Sequence, residues 1–261
     1  MVRVGVFGAG GRMGTAVCQA VRDDPGLELV AAVDPHHAGI DLRQVNGVDQ
    51  HLQVAAGPEA LLDAGAEVAV DFTDVAAARG NLAWLADHAV HAVVGTTGFT
   101  DDDLEGFRAS FTRSNCVIAP NFAIGAVLMI RFAEMAAPYF DTAEIIELHH
   151  DQKIDAPSGT ALATAARMAA ASGTWGDDPT TSVVVEGARG GVGPGGIPIH
   201  SVRLRGMVAH QEVLFGTTGQ TLTIRHDAFD RSSFMPGVLL AIKAVASRPG
   251  VTLGLDALLD L

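Results

Sequence analysis

Short apolar runs that stop abruptly at a glycine or a small polar residue recur through the first 122 positions. Val2 to Phe7 ends at Gly8, and Leu27 to Val33 ends at Asp34. The same strand-to-loop pattern returns at Val68 to Thr73, Ala92 to Phe99 and Val117 to Phe122. Uninterrupted apolar runs of this length, rich in β-branched residues, read as strands covered on both faces, which is the signature of a parallel sheet. Between the first two lies an apolar-periodic segment, Thr15 to Val21, so strand, glycine turn and helix follow one another.

After Gly125 the pattern changes. An apolar helix is expected to about Tyr139, a strand from Ala143 to Leu148, and a helix from Ser158 to about Ala171. Residues Ser172 to Ile199 then carry Gly187, Gly190, Gly191, Gly193, Gly195 and Gly196, a connection long enough to suggest a functional or assembly loop. Ile199 to Leu204, Val213 to Phe215 and Thr221 to Arg225, separated by turn signals at Gly206 and Gly216 to Gly219, read as antiparallel strands. Ser233 to Ser247 is a last helix, with Pro236 near its start where proline is tolerated. The fold class is α/β: a Rossmann-type doubly wound parallel sheet plus a second α+β domain with a mixed or antiparallel sheet, around a cleft. The first domain takes residues 1–122 and 232–261, the last helix returning to it. The second takes 123–231.

Composition narrows the partners. The formal net charge of -13 excludes a general phosphate-backbone binder, which needs a basic face, so nucleic acid is not expected. Cys18 and Cys116 sit in apolar surroundings without metal-ligand spacing, so buried thiols in a reducing compartment are expected and no metal. No apolar run approaches the roughly 20 residues of a membrane span, and the N-terminus enters a strand at once, so a soluble, cytoplasmic protein without a membrane partner is expected.

The glycine turn is Gly8-Ala9-Gly10-Gly11-Arg12-Met13-Gly14. It satisfies the dinucleotide pattern G-x-G-x-x-G loosely, because Met13 stands where the last glycine belongs. Asp34, at the end of the second strand, suits hydrogen bonds from the adenosine ribose, and the pyrophosphate would meet the N–H groups at the helix start. Its carboxylate leans the reading towards NADH, while Arg12, His36 and His37 could attract the extra phosphate of NADPH. Gly95-Thr96-Thr97 and Asn121 lie where the nicotinamide end should fall.

The densest chemistry lies in Glu147-Leu148-His149-His150-Asp151-Gln152-Lys153-Ile154-Asp155-Ala156-Pro157-Ser158-Gly159-Thr160-Ala161. Lysine occurs only at 153 and 243, against fifteen arginines. Lysine can release a proton near neutrality once burial or neighbouring cations lower its pKa, and arginine cannot. Two adjacent histidines close a strand, their side chains on opposite faces. Ser158-Gly159-Thr160 then opens a helix whose free N–H groups suit a carboxylate. Together these point to a small acid reduced by hydride from a nicotinamide and protonated by a neighbouring His or Lys.

This segment resembles the signature of the dihydrodipicolinate (4-hydroxy-tetrahydrodipicolinate) reductase family of diaminopimelate and lysine biosynthesis. The resemblance also covers residues 8–14, Gly95 to Thr97, Ala119-Pro120-Asn121-Phe122, Gly187-Ala188-Arg189-Gly190, and Arg205-Gly206 with His210-Gln211-Glu212. It implies a hydride from NADH or NADPH to ring carbon C4 of a cyclic imine dicarboxylate, then a proton to C3. It further implies His149 as proton donor or acceptor and Lys153 as a proton donor that neutralises developing negative charge. His150, Gly159 and Thr160 would contact the substrate carboxylates. Gly8, Ala9, Gly10, Gly11, Arg12, Met13, Asp34, Gly95, Thr96, Thr97, Ala119, Pro120, Asn121 and Phe122 would line the cofactor. A homotetramer assembled through the sheets of the second domains is implied as well. The residues leave open a reductase of another cyclic imine, or an NAD(H) sensor without turnover, which would not need Lys153.

Overall fold

The computed structural model describes residues 1–259. Its first half runs β1 (Val2–Phe7), α1 (Arg12–Asp23), β2 (Leu27–Val33), the short α2 (Leu42–Asn46) and α3 (Glu59–Asp63), β3 (Val68–Asp71), α4 (Val75–Asp87), β4 (His91–Val94), α5 (Asp101–Ser110) and β5 (Cys116–Ile118). There follow α6 (Ile124–Ala136), β6 (Thr142–His149), α7 (Gly159–Ala171), β7 (Gly191–Val192), β8 (Pro198–Arg203), β9 (Ala209–Thr217) and β10 (Gln220–Ala228). The chain closes with α8 (Met235–Ala244) and β11 (Val251–Leu253). One compact unit holds Met1–Ile124 and the residues from Arg231 onward; the other is Gly125–Asp230. The return segment expected over 232–261 includes residues 260 and 261, which lie outside the described residues.

The second unit is built on a mixed sheet ordered β10-β9-β6-β8-β7. β9 is antiparallel to both β6 and β10, as its spacing suggested. β8 departs from that reading: it runs parallel to β6, on the side away from β9. The reason lies in the connection, since α7 and the long segment after it form a crossover, which returns a strand in parallel, whereas a tight turn cannot. One face of the sheet, carrying Ala143, Ile145, Ile199, Val213 and Phe215, packs on Met129 and Ala133 of α6 and on Ala161, Ala165 and Met168 of α7. By strand alternation Glu147 and His149 share this face with Ile145.

In the first unit all six strands are parallel, ordered β11-β5-β4-β3-β1-β2. β11 escaped the sequence reading because three residues are too few to show a period. Chain order reverses at β1, which has β2 on one side and β3 on the other, and open α/β sheets place ligands outside the strand ends at such a switch. There the chain turns through Gly8, in the left-handed region at φ 64°. Gly14 supplies the close helix-to-turn contact that the motif assigns to a glycine one position earlier. A β-carbon on it would lie 2.0 Å from the Gly8 carbonyl oxygen and 2.9 Å from Ala9 Cα. These neighbours are backbone and cannot swing aside, so α1 would have to move. Gly14→Ala is expected to lower stability by about 1–3 kcal/mol, read as a drop in thermal midpoint of several degrees; an unchanged midpoint would contradict this packing.

Candidate active site

The carboxyl ends of β1, β2, β4 and β5 lie along one edge of the parallel sheet, and the expected cofactor residues follow them. Asp34, only 6% exposed, accepts the N–H of Gly10 through Oδ2 at 3.0 Å and that of His36 through Oδ1 at 3.0 Å. It therefore braces the glycine turn while keeping further lone pairs for a ribose hydroxyl. His37 Nδ1 is 3.2 Å from the same carboxylate, and a β-carbon at Gly10 would sit 2.4 Å from that nitrogen. Ala9 is buried, and its carbonyl accepts Asn46 Nδ2. Gly11 and Arg12 are exposed and Met13 is half-buried.

After β4, a β-carbon at Gly95 would fall 1.9 Å from the Phe72 ring. Thr96 is buried and donates to the Thr73 carbonyl at 2.8 Å, which leaves Thr97 as the exposed hydroxyl. After β5, Ala119 is buried and Pro120 exposed, and Asn121 Oδ1 accepts the N–H of Ala123. Phe122 is 1% exposed and tilts against Phe72 with ring centroids 5.5 Å apart. The side chains of Thr96 and Phe122 thus build the frame, and backbone, Thr97 and the Asn121 amide remain to meet a ligand. A glycine turn closed to a β-carbon at Gly10 and Gly14, opening onto a helix start and flanked by a strand-end aspartate, fits a nicotinamide dinucleotide.

In the second unit β6 ends at His149, and residues 150–153 turn back with the Lys153 N–H on the His150 carbonyl. His150 is exposed; His149 is mostly buried. Lys153 Nζ donates to both oxygens of Asp155 at 2.8 Å. Ser158 caps α7, its hydroxyl accepting the N–H of Ala161. Among the described residues the N–H groups of Gly159 and Thr160 have no partner, so the helix start offers two donors and a positive dipole end to an anion.

Beneath these groups lies Glu147, with no exposed side-chain surface. It takes hydrogen bonds from His149 Nδ1 (2.5 Å), the Ser158 N–H (3.1 Å) and both terminal nitrogens of Arg203 (2.8 and 2.9 Å). Burial pushes its pKa up, but hydrogen bonds from Arg203, Ser201 and His149 outweigh this and hold it below the usual carboxylate value. Burial depresses His149; Glu147 opposes the shift, Lys153 and Arg203 add to it, and the net direction is down. Glu147 stood in the motif without an assigned role, and Arg203 was not singled out. The available signal was the i, i+2 spacing of Glu147 and His149 on a strand, which puts both on one face.

A dinucleotide cradle on a parallel sheet and an acid/base cluster at a helix start define an NAD(P)H-dependent oxidoreductase. Profiles of the dihydrodipicolinate reductase N-terminus and C-terminus match residues 2–122 and 125–259. The 4-hydroxy-tetrahydrodipicolinate reductases of Nocardia farcinica and Cutibacterium acnes are each 50% identical across 100% of this chain, covering 99% and 100% of their own lengths. The solved structure of dipicolinate-bound dihydrodipicolinate reductase from Paenisporosarcina sp. TG-14 superposes with a TM-score of 0.87, at 41% identity over 98% of this chain and 99% of that one. The chain belongs to the dihydrodipicolinate reductase family.

His91, His149 and His226 are all lowered from 6.5, in each case chiefly by burial. As pH falls through 6.5 the unfolded chain takes up protons that these folded sites refuse, so stability falls with pH in the window below 6.5. The thermal midpoint is expected to drop on acidification from pH 7, and the His149 ring to titrate below 6.5 by NMR. A His149 midpoint at or above 6.5 would contradict the site geometry.

Proposed function

We propose that this chain reduces dihydrodipicolinate, or the hydroxylated ring that forms it by losing water, to tetrahydrodipicolinate in diaminopimelate and lysine biosynthesis. The observation that carries the reading is the coincidence, in one short segment, of a lysine paired only with an exposed aspartate, a largely buried histidine and, among the described residues, two N–H groups without a partner at the start of α7. NADH or NADPH, when bound, supplies a hydride to C4 of the ring. Gly159 and Thr160 hold one carboxylate through their N–H groups, and the exposed His150 contacts the carboxylates from the turn. Lys153 exchanges Asp155 for the substrate, neutralises the charge that develops after hydride arrival and gives a proton to C3. Dipicolinate in the Paenisporosarcina enzyme supports a ring with two carboxylates as the ligand.

The test is oxidation of NADH and NADPH by the purified protein while a dihydrodipicolinate synthase generates the ring in place. The expected outcome is rapid oxidation that falls at least about 100-fold in Lys153→Ala, with coenzyme affinity unchanged. Wild-type protein that binds NADH but never oxidises it would favour a sensor instead.

The proposed assembly is a homotetramer in the cytoplasm. Among the described residues no helix is long and apolar enough to cross a membrane. The sheet face away from α6 and α7 presents Ile146, Leu148, Val202 and Leu214, each half-buried. Residues 175–180 line an open cavity of about 570 Å³ on part of it. Half-buried aliphatic side chains on a sheet face suit burial against another copy. Sedimentation at micromolar concentration is expected to give the mass of four chains; a monomer would overturn the assembly.

A further inference from the structure

Glu147 gathers donors from three parts of the second unit that are distant in sequence: His149 on its own strand, Arg203 on β8 and the Ser158 N–H at the start of α7. Arg203 is wholly committed to this neighbourhood. Besides clamping both carboxylate oxygens it donates to the Asp155 and Val202 carbonyls, and its Nε is buried without a partner among the described residues. An ionised carboxylate only accepts hydrogen bonds, so the imidazole nitrogen facing it, Nδ1, carries the hydrogen. In a neutral ring Nε2 is then a bare lone pair, and it has no partner among the described residues.

We propose that Glu147 and Arg203 are a positioning pair for the reduction: the carboxylate holds His149 with Nε2 as a bare hydrogen-bond acceptor, and the guanidinium offsets the pull of that carboxylate towards a doubly protonated ring. The division of labour follows. A histidine fixed in this form cannot donate from Nε2, so Lys153 is the donor. Its N–H bond breaks as the C–H bond at C3 forms, and solvent reprotonates the amine. The charged groups facing His149 are Glu147, Arg203, Lys153 and, through Lys153, Asp155. Only Glu147 favours a protonated ring directly, and Arg203 offsets it.

Glu147→Gln keeps the shape and removes the charge. If the amide oxygen takes the place of Oε1, it keeps the bonds from Ser158 and one nitrogen of Arg203 and turns its NH2 towards His149. The reverse orientation sets two donors against the NH2 and is the worse choice. The substituted protein should therefore carry His149 with its hydrogen on Nε2. This inference rests on the reductase reading for its kinetic arm alone, because the tautomer is read on the free protein.

The experiment is ¹⁵N NMR of the His149 ring in wild type, Glu147→Gln, Arg203→Met and Arg203→Lys, with kcat, KM and NADH dissociation constants beside it. The expected wild-type spectrum has a protonated Nδ1 and a bare Nε2. Glu147→Gln should reverse the two and lower kcat about 100-fold, with KM and NADH affinity little changed. Arg203→Met should raise the His149 titration midpoint, and Arg203→Lys should restore part of the shift. A wild-type ring with hydrogen on Nε2, or in fast exchange between forms, overturns the proposal whether or not the variants fold. So does a Glu147→Gln protein with unaltered tautomer and kcat. The tautomer decides the inference even without turnover by the wild type, a result that would count against the reductase reading alone.

Discussion

A carboxylate with no exposed surface must be answered by its surroundings, because an isolated buried charge would neutralise or unfold the site around it. Glu147 is answered by a guanidinium that meets both of its oxygens, and this single requirement organises much of the second unit. Parallel pairing of β6 and β8 sets Arg203 beside His149 and Ser201 beside Glu147, which brings the guanidinium to the carboxylate. The bond from Ser158 ties the start of α7 to the end of β6, so the helix presents Gly159 and Thr160 at a fixed place. Removing one member of such a pair costs about 3–5 kcal/mol, since the other is left charged and buried. Structure and proton chemistry thus share the same few atoms.

The same economy governs the first unit. Asp34 holds the glycine turn through Gly10 and starts the next turn through His36, using one oxygen for each. A chain of net charge -13 that must take up a dinucleotide and a dicarboxylate cannot rely on its overall field. Helix starts offer local positive potential instead: the N-terminus of α1 after the glycine turn and that of α7 after Ser158, where N–H groups without a partner among the described residues and the helix dipole favour anions.

Much of this was legible in the sequence. β1 and β2 have the bounds their apolar runs suggested, and Ser158 caps the helix that the motif placed after it. Periodicity carried those readings because each element buries a continuous face. What escaped depends on partners far along the chain. The direction of β8 is set by a crossover and not by its own residues. Arg203 becomes significant only when β8 lies beside β6. The side chains of Phe122 and Thr96 pack into the frame, because the Phe72 ring and the Thr73 carbonyl that engage them come from the loop after β3.

The account stands or falls on where the two hydrogens go. Reduction with NADH deuterated at the transferred position, run once in ordinary water and once with unlabelled NADH in D2O, followed by NMR of the product ring, reads both directly. The account predicts coenzyme deuterium at C4 and solvent deuterium at C3. Coenzyme deuterium on the imine carbon beside the nitrogen would contradict it and mark the protein as a simple imine reductase.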